Sequence, residues 1–497
     1  MQGGAEGGGG SVAIIGAGPS GLAAAKAALE EGLRRGYGEG PSVFEKSGGV
    51  GGLWRASEGK VWDSLRTNLS KYTCAFSDFP WPEEAETFPK AREVCRYLER
   101  FAESLQPHLH LHCEVTSVSR GQDGETSGWQ LAWREAGEPK QQHFRHLVVA
   151  SGIFEKAHLQ LPGLETFPGL LRHAADYRKP EEFAGKKVLV VGSAFSGADI
   201  AVDLSSCASV TVAGGKPMWY IPRYVNGVPA DLAFYSRKPK PKQTPEESNR
   251  QRHQFLSGLA QMPEALTAPS DWTRPPFVCI SDHFADAVRT GAVSVAGTVS
   301  NVTGSTVHFA DGRSEEFEAL LVATGYDLDL PFLVPELKKA VHLERDQLQP
   351  LILSHCTWPP EEFPGLAFVG IYRGPYFAVL ELQARWACGV FSGRLRAPTE
   401  EERRESLDRA WALRAGEDRP QFPQSYVDMA EELADLVGVH PRELESPSHP
   451  LHHLYPDVLE GPLLPFHYRL VGFGAHPSVA ERAIRECRKA LARDARM

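Results

Sequence analysis

The apolar pattern opens with a short unbroken run, Val12 to Ile15, followed by glycines and an Ala/Leu-rich stretch that closes at Glu30, Glu31 and Gly32. An uninterrupted apolar run of this length fits a strand buried on both faces, and the longer Ala/Leu stretch fits a helix. PSVFEK then supplies a second strand that finishes at Glu45. The same succession recurs from Lys187 in VLVVGSAFSGADIAVDLS, with VTVAGG (residues 210–215) as its second strand. Between the two units, GWQLAWRE and HFRHLVVASG read as strands returning to the first sheet. EALLVATGY near residue 320, and PGLAFVGIY after it, are further buried-type strands. Strands alternating with helices predict an α/β protein with parallel sheets.

The rest of the chain changes character. PKPKQTPEESNR (residues 239–250) is Pro-rich and charged and reads as a surface loop. TEEERRESLDRAWALRA and SYVDMAEELADLVGV read as helices of a C-terminal covering region, and ERAIRECRKALARDARM as an exposed helix end. The Gly-rich start, MQGGAEGGGG, lacks the basic and then apolar pattern of a signal peptide and reads as a flexible leader.

Composition narrows the class. A chain of 497 residues is longer than one hydrophobic core usually organises. With 53 Lys+Arg against 63 Asp+Glu the net charge is −10, which gives no global attraction to nucleic acid. No apolar run is long enough for a transmembrane segment. None of the 8 cysteines forms a CxxC pair or has zinc-type spacing, so dithiol redox chemistry and a structural metal are not expected. Idle thiols fit a reducing compartment.

The glycine turns carry the chemistry. In GAGPSG (Gly16, Ala17, Gly18, Pro19, Ser20, Gly21), a strand precedes and a helix follows, which is the context that a G-x-G-x-x-G motif requires. Gly16 permits the tight turn, Gly18 lets a pyrophosphate approach the backbone, and Gly21 lets the helix pack on the strand. The helix N-terminus presents N–H groups and a positive dipole end to the phosphates. Glu45, closing the next strand, is placed to accept from a ribose hydroxyl and would repel a 2′-phosphate, so FAD or NAD fits this unit and NADP does not. In the second unit Gly192, Ala194 and Gly197 take the glycine positions. Ser196 adds a hydroxyl there, Ala198 follows, and Asp199 is one turn in, able to cap or orient the helix. Two dinucleotide sites in one chain imply electron transfer between two cofactors. Gly52, Leu53 and Trp54 in GGLW lie just past Glu45, where a flat ring could approach the backbone.

Taken in order, these motifs resemble the flavin-containing monooxygenases. GAGPSG, VFEK and GGLW are similar to the family's FAD site, and VATGY (residues 322–326, with Thr324) to its ATGY segment. FPGLLRHAADY fits the family pattern F-x-G-x-x-x-H-x-x-x-Y through Phe167, Gly169, His173 and Tyr177. LRTNLSKYTCAFSDFPWP is similar to the stretch bearing the family's active-site asparagine, here Asn68. ELQARWACGVFSG and GPLLPFHYRLVGFGAHP resemble C-terminal segments of the animal enzymes, so the likeness covers about residues 11–485.

The resemblance implies two Rossmann-like dinucleotide-binding domains, the NADP domain inserted into the FAD domain, with a C-terminal helical region. The boundaries it implies are a leader over 1–10, the first part of the FAD domain over 11–155, the NAD(P)H domain over 156–320, and the second part with the helical region over 321–497. It further implies that NADPH reduces FAD, that O2 forms a C4a-hydroperoxyflavin, and that an amine nitrogen or sulfide sulfur takes one oxygen atom. Asn68 is the implied catalytic residue, Thr67 an implied contact to the nicotinamide nucleotide, and Gln383 an implied cofactor contact on a helix whose N-terminus faces the flavin. His173 is read as structural.

Some residues depart from the family. Where it has Ser-x-Arg after the second strand of the inserted unit, this chain has Ala213, Gly214 and Gly215. Lys216 is the expected substitute reader of the NADPH 2′-phosphate, and NADH remains an open second cofactor. The insertion GLRRGYGEGPS is expected to be a surface loop, and the animal enzymes' hydrophobic tail is missing. The expected location is cytoplasmic, with peripheral association to the endoplasmic reticulum as the alternative; a homodimer is compatible with the sequence. A Baeyer–Villiger enzyme, which carries Trp where this chain has Tyr177, an NAD(P)H oxidase releasing H2O2, and a catalytically silent nucleotide-fold scaffold are the competing readings.

Overall fold

The computed structural model describes residues 11–33, 40–56, 60–121, 128–237, 243–260, 262–359, 363–374, 376–422 and 425–494. The expected leader, the middle of the GLRRGYGEGPS insertion and residues 239–242 of the expected loop lie outside them.

Ten strands carry the two central sheets: β1 (Val12–Ile15), β2 (Ser42–Phe44), β3 (Leu109–His110), β4 (His146–Val149), β5 (Leu170–His173), β6 (Lys187–Val191), β7 (Ser209–Ala213), β8 (Val293–Ala296), β9 (Ala319–Val322) and β10 (Leu366–Phe368). The first sheet has the order β10-β4-β1-β2-β3 and the second β8-β7-β6-β9-β5. All pairings within both are parallel. A parallel sheet needs cover on both faces, which is why β1, β6 and β9 are continuous apolar runs rather than alternating ones.

The two units follow one plan. The strand before the glycine turn is central in each sheet, β1 in one and β6 in the other. A three-stranded antiparallel meander precedes β4 in the first unit and β9 in the second: Cys113–Arg120, Trp129–Glu135 and Glu138–Phe144 in the first, Val299–Thr303, Thr306–Phe309 and Ser314–Glu316 in the second. The chain leaves β4 through Ala150-Ser151-Gly152 and β9 through Ala323-Thr324-Gly325, and the two exits pair antiparallel as Lys156–Ala157 with Tyr326–Asp327.

Three expectations for the strands and loops change here. GWQLAWRE is not in the first sheet: Trp129, Leu131 and Trp133 alternate with more exposed neighbours, as suits a meander with one face buried. The strand ALLV pairs with β6 and β5, so the return to the first unit follows Val322, and a boundary at 320/321 would cut a strand of the second sheet. The charged stretch at 239–250 is not all loop, because a helix starts at Pro245 and runs to Leu259. Thr244 and Glu247 form a capping box at its start, and Pro245 occupies the first turn, where its missing N–H costs nothing.

Helix α1 (Pro19–Glu30) follows the first glycine turn, and α2 (Phe195–Leu204) the second. The long helix α3 (Phe377–Phe391) packs along α1 and is buried nearly throughout. Helix α4 (Tyr426–Val437) covers α3 in turn, and its apolar residues join the core below the first sheet. The final helix, Pro477–Asp494, is not merely an exposed end: Ala480, Ala483, Ile484 and Cys487 are buried in the same core. Among the described residues no helix is long and apolar enough to cross a membrane.

Each glycine turn depends on backbone closeness. A Cβ on Gly21 would sit 1.8 Å from the Gly16 carbonyl oxygen, and one on Gly197 1.8 Å from that of Gly192. Gly197→Ala is therefore expected to cost on the order of 3 kcal/mol, a steric penalty at the large end for single substitutions. Gly185, with φ +71° and nothing near its absent Cβ, is the control. Gly185→Ala should cost only the left-handed backbone penalty, about 1–2 kcal/mol. Equal shifts of the denaturation midpoint in the two variants would refute the steric account.

Candidate active site

The first turn is built where three parallel strands end together. In register, Ile15 stands beside Phe44 and Val149, so Gly16, Glu45 and Ala150 meet at the C-terminal edge of the sheet. Open α/β sheets bind ligands at this edge. Gly16 has φ +101°, and a Cβ there would lie 2.6 Å from the Ala150 carbonyl oxygen. Gly18 packs closely against Gly52: a Cβ on Gly52 would stand 3.0 Å from the Gly18 Cα. No side chain caps α1, so its first N–H groups stay available at the turn. Glu45 is buried; Oε2 accepts from the Ala17 N–H at 2.8 Å and Oε1 from the Ser47 N–H at 2.9 Å. Each oxygen keeps a lone pair for a further donor. The Ser151 hydroxyl beside this turn is buried and has no partner among the described residues. Leu53 and Trp54 form one 3₁₀ turn after Gly52, half-buried, and Trp54 packs against the core.

The second turn repeats the first closely. Gly192 has φ +110°, and a Cβ there would lie 2.5 Å from the Ala323 carbonyl oxygen. Ala194 takes φ −78° and ψ −170°, against −75° and −174° at Gly18, so alanine preserves the backbone path. No side chain caps α2. Ser196 and Gly197 stand in its first turn, with Ala198 fully buried behind them. The Tyr220 hydroxyl donates to the Ser193 carbonyl at 2.9 Å and braces the turn.

The loop of Thr67 and Asn68, which lies between the two turns in the sequence, is gripped by side chains from the second unit. Arg223 is buried; its Nε donates to the Thr67 carbonyl at 3.0 Å and its Nη2 to Asn68 Oδ1 at 3.1 Å. Nη1 donates to Asp282 Oδ2 at 2.9 Å, and Nη2 lies 3.4 Å from Asp199 Oδ2. A buried cation needs such counter-charge, and Arg's planar fork serves several acceptors at once. Asp199 therefore does not cap α2: it accepts from Ser281 Oγ at 2.8 Å and faces Arg223, and burial raises its pKa. A second clamp comes from Asp231. Its Oδ2 accepts from the Ser70 N–H at 2.9 Å, Ser70 Oγ at 2.8 Å and Thr73 Oγ1. The Thr67 hydroxyl is buried and has no partner among the described residues. Asn68 Oδ1 is taken by Arg223, which leaves the Asn68 Nδ2 as the donor.

Other expected site residues fall elsewhere. Gln383 is fully buried on α3; its Oε1 accepts from the Gly370 N–H at 3.0 Å, while Nε2 donates to the Cys356 carbonyl and Thr357 Oγ1, both at 3.0 Å. Both Nε2 protons are thus spent inside the chain. The Thr324 hydroxyl donates to the His158 carbonyl. Lys216 lies outside the turn with its ammonium 3.2 Å from the Phe277 ring centroid, in a cleft of about 190 Å³ beside Gly214 and Gly215. His173 ends β5 and meets Tyr326 edge-on at 5.1 Å; Tyr177 is fully buried and donates to Asp203 at 2.6 Å. The family pattern thus marks packing of the second unit. Glu30, Asp78 and His476 are the metal-type cluster found among the described residues, but Arg469 and Lys26 pair with its carboxylates.

Sequence reasoning missed Arg223, Asp231 and Ser151. Arg223 and Asp231 sit 155 and 161 residues from their partners in the loop, and nothing local marks them. For Ser151 a signal existed: VASG repeats VATG at the equivalent strand end.

Residues 9–491 match the family model described as flavin-binding monooxygenase-like. The chain is 31% identical to human (Homo sapiens) flavin-containing monooxygenase 5, over 93% of this chain and 89% of that protein. It is 32% identical to the guinea-pig (Cavia porcellus) dimethylaniline monooxygenase [N-oxide-forming] 2, over 95% and 90%. Among solved structures, the S-allyl-L-cysteine S-oxygenase of Allium sativum shares the fold with a TM-score of 0.63, at 22% identity over 97% of this chain and 99% of that one. The chain belongs to the flavin-containing monooxygenase family. It is a flavin-dependent monooxygenase whose cofactors are FAD and NADPH. The two uncapped helix N-termini and the Ser151 and Thr67 hydroxyls, buried without a partner among the described residues, fit bound nucleotides.

The Asp231 clamp is testable on its own. Asp231→Ala strands three donors and should speed amide exchange over residues 67–74 by tenfold or more, read by hydrogen-exchange mass spectrometry. Burial raises the Asp231 pKa above its unfolded value. Between those two values the folded protein holds more protons, so this residue's contribution to stability falls as pH rises. Asp231→Asn should thus gain stability relative to the native protein from pH 4 to pH 7; a constant difference in unfolding free energy would contradict this.

Proposed function

We propose that this protein oxygenates soft nucleophiles, an amine nitrogen or a sulfide sulfur, at the loop held between its two nucleotide turns. The observation that carries the reading is Arg223 holding Asn68 by Oδ1, which aims the remaining Nδ2 donor from a fixed backbone. When bound, reduced flavin activates dioxygen and supplies one oxygen atom to the substrate, the other leaving as water. The chain's own task is position, dryness and hydrogen bonding.

In this reading residues 11–155 and the part of the chain after Val322 hold FAD, and the segment between holds NADPH. The Gly16–Gly21 turn and the start of α1 take the flavin nucleotide's pyrophosphate, and Glu45 its ribose hydroxyls. The Gly192–Gly197 turn and α2 take the pyrophosphate of NADPH, with Ser196 as an added donor. Thr67 Oγ1, buried without a partner, donates to the nicotinamide nucleotide. Asn68 donates through Nδ2 toward the reacting oxygen, and Arg223 keeps that amide from flipping. The relatives named for N-oxide formation and S-oxygenation support a soft nucleophile as substrate. The eight unpaired thiols, six of them buried, support a reducing, cytoplasmic setting.

Asn68→Ala should retain flavin but form at least tenfold less product per NADPH consumed, with peroxide making up the difference. Unchanged coupling would remove Asn68 from the chemistry. The native protein, given NADPH with a tertiary amine, a thioether and a cyclic ketone, should yield N-oxide and sulfoxide. Lactone as the main product would establish the Baeyer–Villiger reading instead, and peroxide with no oxygenated product the oxidase.

A further inference from the structure

The cleft beside the second glycine turn lies past the end of β7, where the ribose substituents of a nucleotide bound at such a turn fall. Gly214 and Gly215 offer no side chain there. A Cβ on Gly214 would lie 2.3 Å from Ser193 Oγ and one on Gly215 2.3 Å from Thr298 Oγ1, so neither position accommodates a larger residue without rearrangement. The cations on the cleft wall are therefore Lys216, one residue on, and Arg313, which arrives from the turn between Thr306–Phe309 and Ser314–Glu316.

We propose that Arg313 reads the 2′-phosphate of NADPH in this chain, replacing the arginine absent after β7, and that its partner Asp311 tempers the preference by accepting from an unphosphorylated ribose. The assignment rests on the NADPH reading of the second turn. Three observations favour Arg313 over Lys216. The Arg313 guanidinium is fixed: Nε and Nη2 sit on Asp311 Oδ2 at 2.9 and 2.8 Å, and the Arg313 N–H donates to Asp311 Oδ1 at 3.1 Å. With Nε and one Nη2 proton on Asp311, the Nη1–Nη2 edge stays free among the described residues, and a planar edge suits a phosphate better than the point charge of an ammonium. The Lys216 ammonium is already engaged with the Phe277 ring, and partial desolvation, with Arg373 and Arg419 nearby, brings its pKa down to about 8. Asp311 lines the same cleft, and its carboxylate is the group type that accepts ribose hydroxyls in such units. The turn is exposed, with the Arg313 side chain 64% accessible, so replacing it leaves the fold intact.

The test is calorimetric titration of the FAD-loaded protein with 2′,5′-ADP, which carries the 2′-phosphate, and with 5′-AMP, which does not. The native protein should bind 2′,5′-ADP the more tightly. Arg313→Ala should weaken 2′,5′-ADP tenfold or more and leave 5′-AMP within twofold. Lys216→Ala should weaken 2′,5′-ADP less than threefold, and Asp311→Asn should strengthen it while weakening 5′-AMP. An equal loss for both ligands in Arg313→Ala, no loss, or a larger selective loss in Lys216→Ala would overturn the assignment. Absence of binding by either ligand to the native protein would refute the nucleotide site itself, and the proposal with it. Oxygenation of amines and sulfides is read separately and can fail without affecting this result.

Discussion

The structure depends on one kind of contact made twice: a glycine turn pressed against the last carbonyl of a neighbouring parallel strand. Gly16 rests on Ala150 and Gly192 on Ala323, and in each unit the following helix starts so close that Gly21 and Gly197 admit no side chain. The contact places a helix N-terminus over the C-terminal edge of a parallel sheet and leaves its N–H groups unspent. Its near identity in the two units explains why Ala194 is tolerated. The middle position of the turn needs little room and only a particular backbone direction, and alanine adopts that direction as readily as glycine.

The loop of residues 67–73 belongs to the first unit in sequence, yet its hold comes from elsewhere. Arg223 and Asp231 provide it from the second unit, each reaching across to residues 67–73. Both are buried and ionisable, and both are satisfied mainly by groups of that loop or by Asp199 and Asp282. A buried charge stripped of its partners is costly, so the clamp holds only while both units are assembled. Insertion of one unit into the other serves this arrangement. The paired exits Lys156–Ala157 and Tyr326–Asp327 tie the units at the crossing points, and the clamp ties them again at the site.

How far the sequence discloses this follows from the range of each interaction. The glycine turns, Glu45 and the two sheets were legible because their determinants lie within about thirty residues and repeat a strand, turn and helix pattern. GWQLAWRE was misread although its alternation, Trp-x-Leu-x-Trp, marks a half-buried strand and not a parallel one. The start of the helix at Pro245 was also written locally, in Thr-Pro-Glu-Glu, but the surrounding prolines and charges argued for a loop. Arg223 and Asp231 were invisible for a different reason: a polar residue destined for burial carries no local mark, and only its distant partners explain it. Gln383 shows the converse, a residue suggested by family likeness whose amide ties α3 to Gly370, Cys356 and Thr357.

The second cleft extends the argument from position to selectivity. Glycines 214 and 215 stand close against Ser193 and Thr298, so a larger side chain where the strand ends would have to displace those hydroxyls. A charge brought in from the meander avoids that conflict, because its hairpin is exposed and its turn is free to vary. The equivalent turn in the first unit is Ala136-Gly137, with no charged side chain, and there the acid Glu45 closes the second strand directly. One plan therefore yields opposite solutions. In the first unit a carboxylate, Glu45, closes the second strand and the meander turn is Ala136-Gly137; in the second the strand end is bare and the meander turn carries Asp311 and Arg313.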